Sequence, residues 1–227
     1  MPFEQVCERA GALGLAVRGA FHAVPEEFAA AFPGMRVSTV ILLGFTGGAQ
    51  WPVFRDSAEA RDGQPHPLDR WSRRTIGSLA HSFRARDFYP SGTPSAPLPF
   101  QRLAARCEPV HPSPIGLLIH SKWGLWHAYR GGLALEERLE LPPLVRSPTP
   151  CGLCEAKPCL SSCPVDAFKP GRFDLEACVS HVSSAAGMEC SENGCRARRS
   201  CPVGAEHAYA ADQSRFHMRA FLDSTSP

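Results

Sequence analysis

The chain has 227 residues, of which 44% are hydrophobic and 20% charged, with 24 basic against 22 acidic side chains and a net charge of +2. That composition belongs to a folded protein of one large or two small domains and excludes a disordered tail, a collagen or a coiled coil. No apolar run reaches the ~18 residues of a membrane helix. The basic and acidic groups also nearly balance in each part, 16 and 13 over residues 1–150 and 8 and 9 over 151–227, without the basic excess that phosphate neutralisation requires.

Along the chain, Phe3, Val6, Cys7 and Ala10 predict a short helix over 3–11, and a strand follows at 15–20. The β-branched and apolar stretch 38–45, bounded by Gly44, Gly47 and Gly48, predicts a buried strand. These glycines are no phosphate loop, because the lysine, the hydroxyl residue and the spacing are missing. Leu68, Trp71, Thr75, Leu79 and Phe83 recur at spacings of three and four, and Pro67 suits a first turn, so 67–86 predicts a helix. On it, Asp69, Arg70, Arg73 and Arg74 read as a solvated, ion-paired face. The proline-rich stretch 90–99 predicts a loop, 100–107 a helix, and 115–120 and 124–135 two further strands. Gly131 and Gly132 mark a bulge or a close approach of backbone in the second of these. The four prolines of 141–150 then place a domain boundary after residue 147.

Beyond that boundary, cysteine replaces hydrophobic periodicity. Eight of the ten cysteines fall between Cys151 and Cys201, leaving only Cys7 and Cys107, which read as buried thiols without a metal role. The first residues carry Glu4, Glu8, Arg9 and Arg18 with no apolar block, so no secretory signal is expected and the expected compartment is the cytoplasm. In that setting clustered cysteines point to metal rather than to disulfides.

The first run is Cys151-x2-Cys154-x4-Cys159-x3-Cys163-Pro164. Bacterial ferredoxins use C-x2-C-x2-C-x3-C-P, in which three thiolates hold one [4Fe-4S] cluster and the fourth reaches a neighbouring cluster. Here the middle gap is two residues wider. Downstream follow Cys178, Cys190, Cys195 and Cys201-Pro202. Two clusters need eight thiolates, and these cysteines supply eight. A ferredoxin-like crossover assigns Cys151, Cys154, Cys159 and Cys201 to one cluster and Cys163, Cys178, Cys190 and Cys195 to the other. Zinc also takes four thiolates, and Cys-x2-Cys alone is half of a zinc ribbon, so a zinc-stabilised interaction module stays as an alternative. Arg196, Arg198 and Arg199 read as a solvated face, with an electrostatic role beside an anionic cluster as the other reading.

His120, Trp123, Trp126, His127, Tyr129 and Arg130 form an aromatic and polar group just before the cysteines. They read as a packing surface, or as the wall of a pocket for a flat cofactor. His181, His207 and His217 read as surface or packing residues, since eight cysteines already satisfy two clusters.

The chain resembles epoxyqueuosine reductase over Ser95 to Pro202. The resemblance rests on Ser95-Ala96-Pro97, Leu103-Ala104-Ala105-Arg106, Leu117-Leu118-Ile119-His120, Gly124-x-Trp126 and the cysteine layout of four, one and three. It implies a cobalamin-type N-terminal domain joined to two [4Fe-4S] clusters, and reduction of an epoxide in a tRNA nucleoside. Four departures are plain. Pro94 holds the place of the family's catalytic aspartate, and the Gly-Trp-Ile-Gly-Lys segment is contracted to Ser113-Pro114-Ile115-Gly116, without its lysine. The last run is spread to Cys190-x4-Cys195-x5-Cys201-Pro202, and no helical-repeat tRNA-binding extension is expected after it.

The expectation is therefore an α+β chain, with a mixed α/β domain over 1–147 and a small ferredoxin-like dicluster module over 148–227. Its expected function is single-electron transfer through two [4Fe-4S] clusters, between a redox donor and a protein or small-molecule acceptor. Neither membrane nor nucleic acid is an expected partner. A corrinoid-dependent reductase is the alternative, although no residue here specifies a cobalamin site.

Overall fold

A computed structural model of the chain describes residues 2–90, 98–169 and 171–225. The segment Pro94 to Pro97, which includes Ser95-Ala96-Pro97, lies outside the described residues, as does most of the expected loop over 90–99. The described strands are β1 (Ala16–His22), β2 (Thr39–Thr46), β3 (Arg86–Phe88), β4 (Val110–Pro112), β5 (Leu118–His120), β6 (His127–Leu135), β7 (Phe168–Lys169) and β8 (Arg172–Phe173). The fold is mixed α+β. Two compact units emerge, one of Met1–Pro109 with Ala128–Arg146, the other of Val110–His127 with Ser147–Pro227.

In the first unit four strands form one antiparallel sheet in the order β1-β2-β6-β3. Neighbouring residues of a strand point to opposite faces, and Val40, Ile41, Leu42, Leu43 and Phe45 are all at most 1% exposed. Both faces of β2 are therefore covered. The helices Phe3–Ala12 and Phe100–Cys107 pack on β1, and Pro67–Ser82 packs on β3. The last of these buries Leu68, Trp71, Ile76 and Leu79, and Trp71 meets Phe45 edge to face at 5.7 Å. Its charged side is paired, as the sequence suggests, by Arg70 with Asp62, Arg74 with Glu59, and Asp69 with Arg130. Gly132 allows a close approach of backbone: a Cβ there would lie 2.7 Å from the Ile41 carbonyl oxygen and 2.3 Å from the Phe88 ring.

One charged pair lies inside this unit. Arg18 and Glu108 are 5% and 7% exposed. The guanidinium donates to both carboxylate oxygens, at 3.3 and 2.8 Å, and to the Phe45 carbonyl at 3.1 Å. The Tyr129 hydroxyl donates to the same carboxylate. The pair fastens the end of the helix Phe100–Cys107 to β1, and no local sequence pattern announces it.

The second unit starts earlier than the boundary expected after residue 147. Its apolar cluster joins Ile115, Ile119 and Leu125 to Cys159, Ala197 and Cys201. The cysteine-rich segment has too little hydrocarbon for a core of its own, and the segment 110–127 supplies it. The strands expected at 115–120 and 124–135 shorten to β5 and β6 for a related reason. Gly116 and Gly124 take φ values of +78° and +55°, which turn the chain where a strand would continue. β4 and β5 pair as a hairpin, as do β7 and β8. A helix absent from the sequence reading, Ala211–Thr225, packs on the helix Met188–Asn193. Among the described residues no helix is long and apolar enough to cross a membrane.

Replacing Glu108 by Ala should destabilise the first unit by about 3–5 kcal/mol, because it strands a buried guanidinium. Chemical denaturation followed by tryptophan fluorescence measures the loss, and a change below about 1 kcal/mol would contradict a structural role for the pair.

Candidate metal centres

All eight cysteines of the run 151–201 lie in the second unit, in two groups. Cys151, Cys154, Cys159 and Cys201 line one small apolar cavity, together with Pro114, Ile119 and Val203. Cys163, Cys178, Cys190 and Cys195 line a second small cavity, with Phe168, Val182, Ala197 and Met218. Cys7 and Cys107 belong to the first unit. Cys107 is buried as expected, whereas Cys7 is only half-buried, on the helix Phe3–Ala12; loss of hydration raises both thiols above their usual range.

Short elements place each thiol. Cys151 sits in the 3-10 turn Pro150–Gly152, and Cys159 in the helix Pro158–Ser161. Lys157, at φ +38°, reverses the chain before Pro158 begins that helix, and this turn occupies the widened gap between Cys154 and Cys159. Cys178 lies on the helix Leu175–Val182, where the Asp174 carboxylate accepts the Ala177 N–H at 3.1 Å. Cys190 lies on Met188–Asn193, and Cys195 begins Arg196–Arg199, just before Cys201.

The electrostatics of both groups are those of thiols crowded in apolar surroundings. Burial, and then repulsion by Cys195, Cys163 and Cys190, push Cys178 up to about 11. Burial also raises Cys151, Cys159, Cys195 and Cys201. Backbone N–H groups work the other way and favour sulfur that carries negative charge. Ala167 donates to Cys163 Sγ at 3.3 Å, Arg198 and Ala197 donate to Cys195, and Val203 to Cys201. Bound metal cations would relieve the repulsion that burial creates.

The donor set, four thiols around each cavity, is compatible with iron–sulfur clusters. Among the described residues no three of His, Cys, Asp and Glu converge closely enough to hold a single metal ion. A lone zinc draws each thiolate to about 2.3 Å, whereas a cluster presents its irons at separate corners and meets thiolates across a wider span.

Around the cavities, the three arginines are not one solvated face. Arg196 and Arg199 both pair with Glu189. Arg198 is half-buried instead, with its guanidinium 4.6 Å from the Trp126 ring centre and 4.5 Å from that of Tyr209. It donates twice to the Leu125 carbonyl, at 3.2 and 2.7 Å. Of the aromatic and polar group before the cysteines, four residues serve packing in the second unit. His120 Nδ1 accepts the N–H groups of Lys122 and Trp123, His127 Nε2 donates to the Leu118 carbonyl at 3.0 Å, and Trp123 lies against His207. Tyr129 and Arg130 belong to the first unit, where they line a polar cleft of about 240 Å³ with Asp69, Ser72, Arg73 and Tyr89. Nothing in the sequence pattern announces that cleft, whose residues come from three separate segments.

No protein-family model and no curated protein matches the chain. Solved structures do. An epoxyqueuosine reductase from Bacillus subtilis, with its catalytic loop swung out of the active site, superposes with a TM-score of 0.54 at 12% identity, over 92% of this chain and 66% of that one. The chain has the fold of an epoxyqueuosine reductase. The enzyme from Streptococcus thermophilus gives a TM-score of 0.49 at 15% identity over 90% of this chain. An epoxyqueuosine reductase with a modified tRNA-Tyr stem loop gives 0.47 at 14% over 92%. This chain spans 66% of the length of each of these structures. At such identities the likeness concerns the fold, and the site has to be read from this chain's own residues.

Gly124 is the tightest point near the first cavity: a Cβ would stand 1.8 Å from the Val203 carbonyl oxygen, at a φ of +55°. Replacing Gly124 by Ala should cost about 1–3 kcal/mol from the backbone conformation alone, and more from the clash. Hydrogen exchange should then show loss of protection around Cys201 with the first-unit sheet unchanged; unaltered protection at both places would contradict the tight contact.

Proposed function

We propose that the second unit holds two [4Fe-4S] clusters and that the protein passes single electrons between a redox donor and an acceptor. The observation that carries this reading is the pair of separate apolar cavities, each ringed by four cysteines. Cys151, Cys154, Cys159 and Cys201 would hold one cluster, and Cys163, Cys178, Cys190 and Cys195 the other. When bound, such clusters take up and release electrons one at a time, at potentials set by charge, hydrogen bonds to sulfur and exposure.

The chain's own residues supply those controls. The N–H groups of Ala167, Arg198, Ala197 and Val203 direct positive dipole ends at ligand sulfur, which favours the reduced, more negative state. Ile115, Ile119 and Leu125 limit access of water to the first group. The acceptor is a protein or a small molecule, and the polar cleft of the first unit is suited to the latter. A near-neutral charge supports an acceptor other than a nucleic acid.

The fold favours a second reading, a corrinoid-dependent reductase in which the same clusters feed a cobalt centre. Titration of the purified protein with cobalamin separates the two: binding with a spectral change supports the reductase, and no change leaves the electron carrier.

Anaerobically purified protein should contain about eight iron and eight acid-labile sulfide per chain, as two four-iron clusters require. Cys154→Ala and Cys178→Ala should each remove about half of both, since each takes one ligand from a different set. Full iron in either variant would contradict the ligand assignment, and zinc without sulfide would replace it with a zinc-stabilised module.

A further inference from the structure

The charge on Arg198 has no carboxylate to meet it. Its neighbours Arg196 and Arg199 both use Glu189, while Arg198 makes no ion pair with any described residue. Its partners are a backbone carbonyl and two aromatic faces. Such contacts orient a guanidinium and offset some lost hydration, but they leave its net charge in place. Arg among the basic side chains keeps that charge at any working pH. Beside it, the Trp126 indole N–H is a second donor that meets no acceptor among the described residues, in a side chain 2% exposed.

The backbone of Arg198 touches both cysteine sets. Its N–H donates to the Cys195 sulfur, and its carbonyl accepts the N–H of Cys201 at 3.3 Å. Cys195 lines the second cavity and Cys201 the first. The helix Arg196–Arg199 is thus one link between the sets, and Arg198 pins it to Leu125, which belongs to the same apolar cluster as Cys159 and Cys201.

Resting on the two-cluster reading, we infer that Arg198 is a positioning residue that provides the shared counter-charge of both clusters and raises their reduction potentials. Adding one electron to a thiolate-held cluster adds one negative charge, and a guanidinium charge carried on the helix that links the two sets favours the reduced state over the oxidised one. The half-buried cation gains an anionic partner when the clusters are in place.

The test compares Arg198→Met, which keeps an unbranched stem without charge, with Arg198→Lys, which keeps charge without the planar fork. Iron and sulfide are counted on each, and both midpoint potentials are read by EPR-monitored titration. The expected result is a shift to more negative potential at both clusters in the Met variant and near wild-type potentials in the Lys variant. Loss of iron in the Met variant alone also supports the counter-charge, since charge then decides assembly. Unchanged potentials in a fully loaded Met variant would overturn the inference. So would equal shifts, or equal loss of iron, in both variants, because shape would then matter and charge would not. Absence of iron from the wild-type protein would instead remove the two-cluster reading.

Discussion

Four thiols crowded into an apolar cavity repel one another as soon as they ionise, and this chain makes that arrangement twice within its second unit. Burial raises Cys151, Cys159, Cys178, Cys195 and Cys201 together. A segment built this way has little reason to stay folded on thiols alone. Its apolar cluster counts Cys159 and Cys201 among its six buried members, so the groups that would bind metal are also part of the core. Ligation and folding are coupled under those conditions. The same need explains why Ile115, Ile119 and Leu125 pack against cysteines that follow them by dozens of residues.

The crossing of the two sets gives the unit its internal order. The helix Pro158–Ser161 carries Cys159 of the first set and leads to Cys163 of the second, and the helix Arg196–Arg199 runs between Cys195 of the second and Cys201 of the first. These two short helices pack on one another, and Ala197, fully buried, belongs to the cluster that includes Cys159. Each link passes from one cavity to the other within five to seven residues, so the cavities have no freedom to separate. A small side chain at 197 is what such a crossing requires, since bulk there would press on both sets.

How much of this was legible from residues alone depends on the range of the interaction. The helices Pro67–Ser82 and Phe100–Cys107 and the strand β2 follow from local periodicity and propensity, and they fall within a few residues of their expected bounds. The cysteine positions were legible because metal ligation imposes short spacings on the chain itself. By contrast, Arg18 finds Glu108 across 90 residues and Arg198 finds Leu125 across 73. Neither pairing leaves a local mark, and three nearby arginines resembled a solvated face until Glu189 was seen to take two of them. The helix Ala211–Thr225 escaped for a different reason: its buried positions include Gln213 and Ser214, so the inward face lacks the apolar stripe by which helices are recognised.

The departures from the epoxyqueuosine reductase pattern acquire a physical meaning in the fold. The contracted segment Ser113-Pro114-Ile115-Gly116 forms the turn of the β4–β5 hairpin, closed by the Ser113 N–H donating to the Leu117 carbonyl at 2.9 Å. Ile115 is 6% exposed and joins the cluster around Cys159 and Cys201, while Pro114 lines the first cavity. Where the resemblance leads one to expect a lysine, this chain packs the segment against a group of cysteines. The fold is shared and the two cysteine-lined cavities are compatible with iron–sulfur clusters, whereas the segment that departs from the pattern is given to packing. A shared fold carries its scaffold more faithfully than its chemistry, and in this chain the scaffold's most specialised surface is the one that faces its own cysteines.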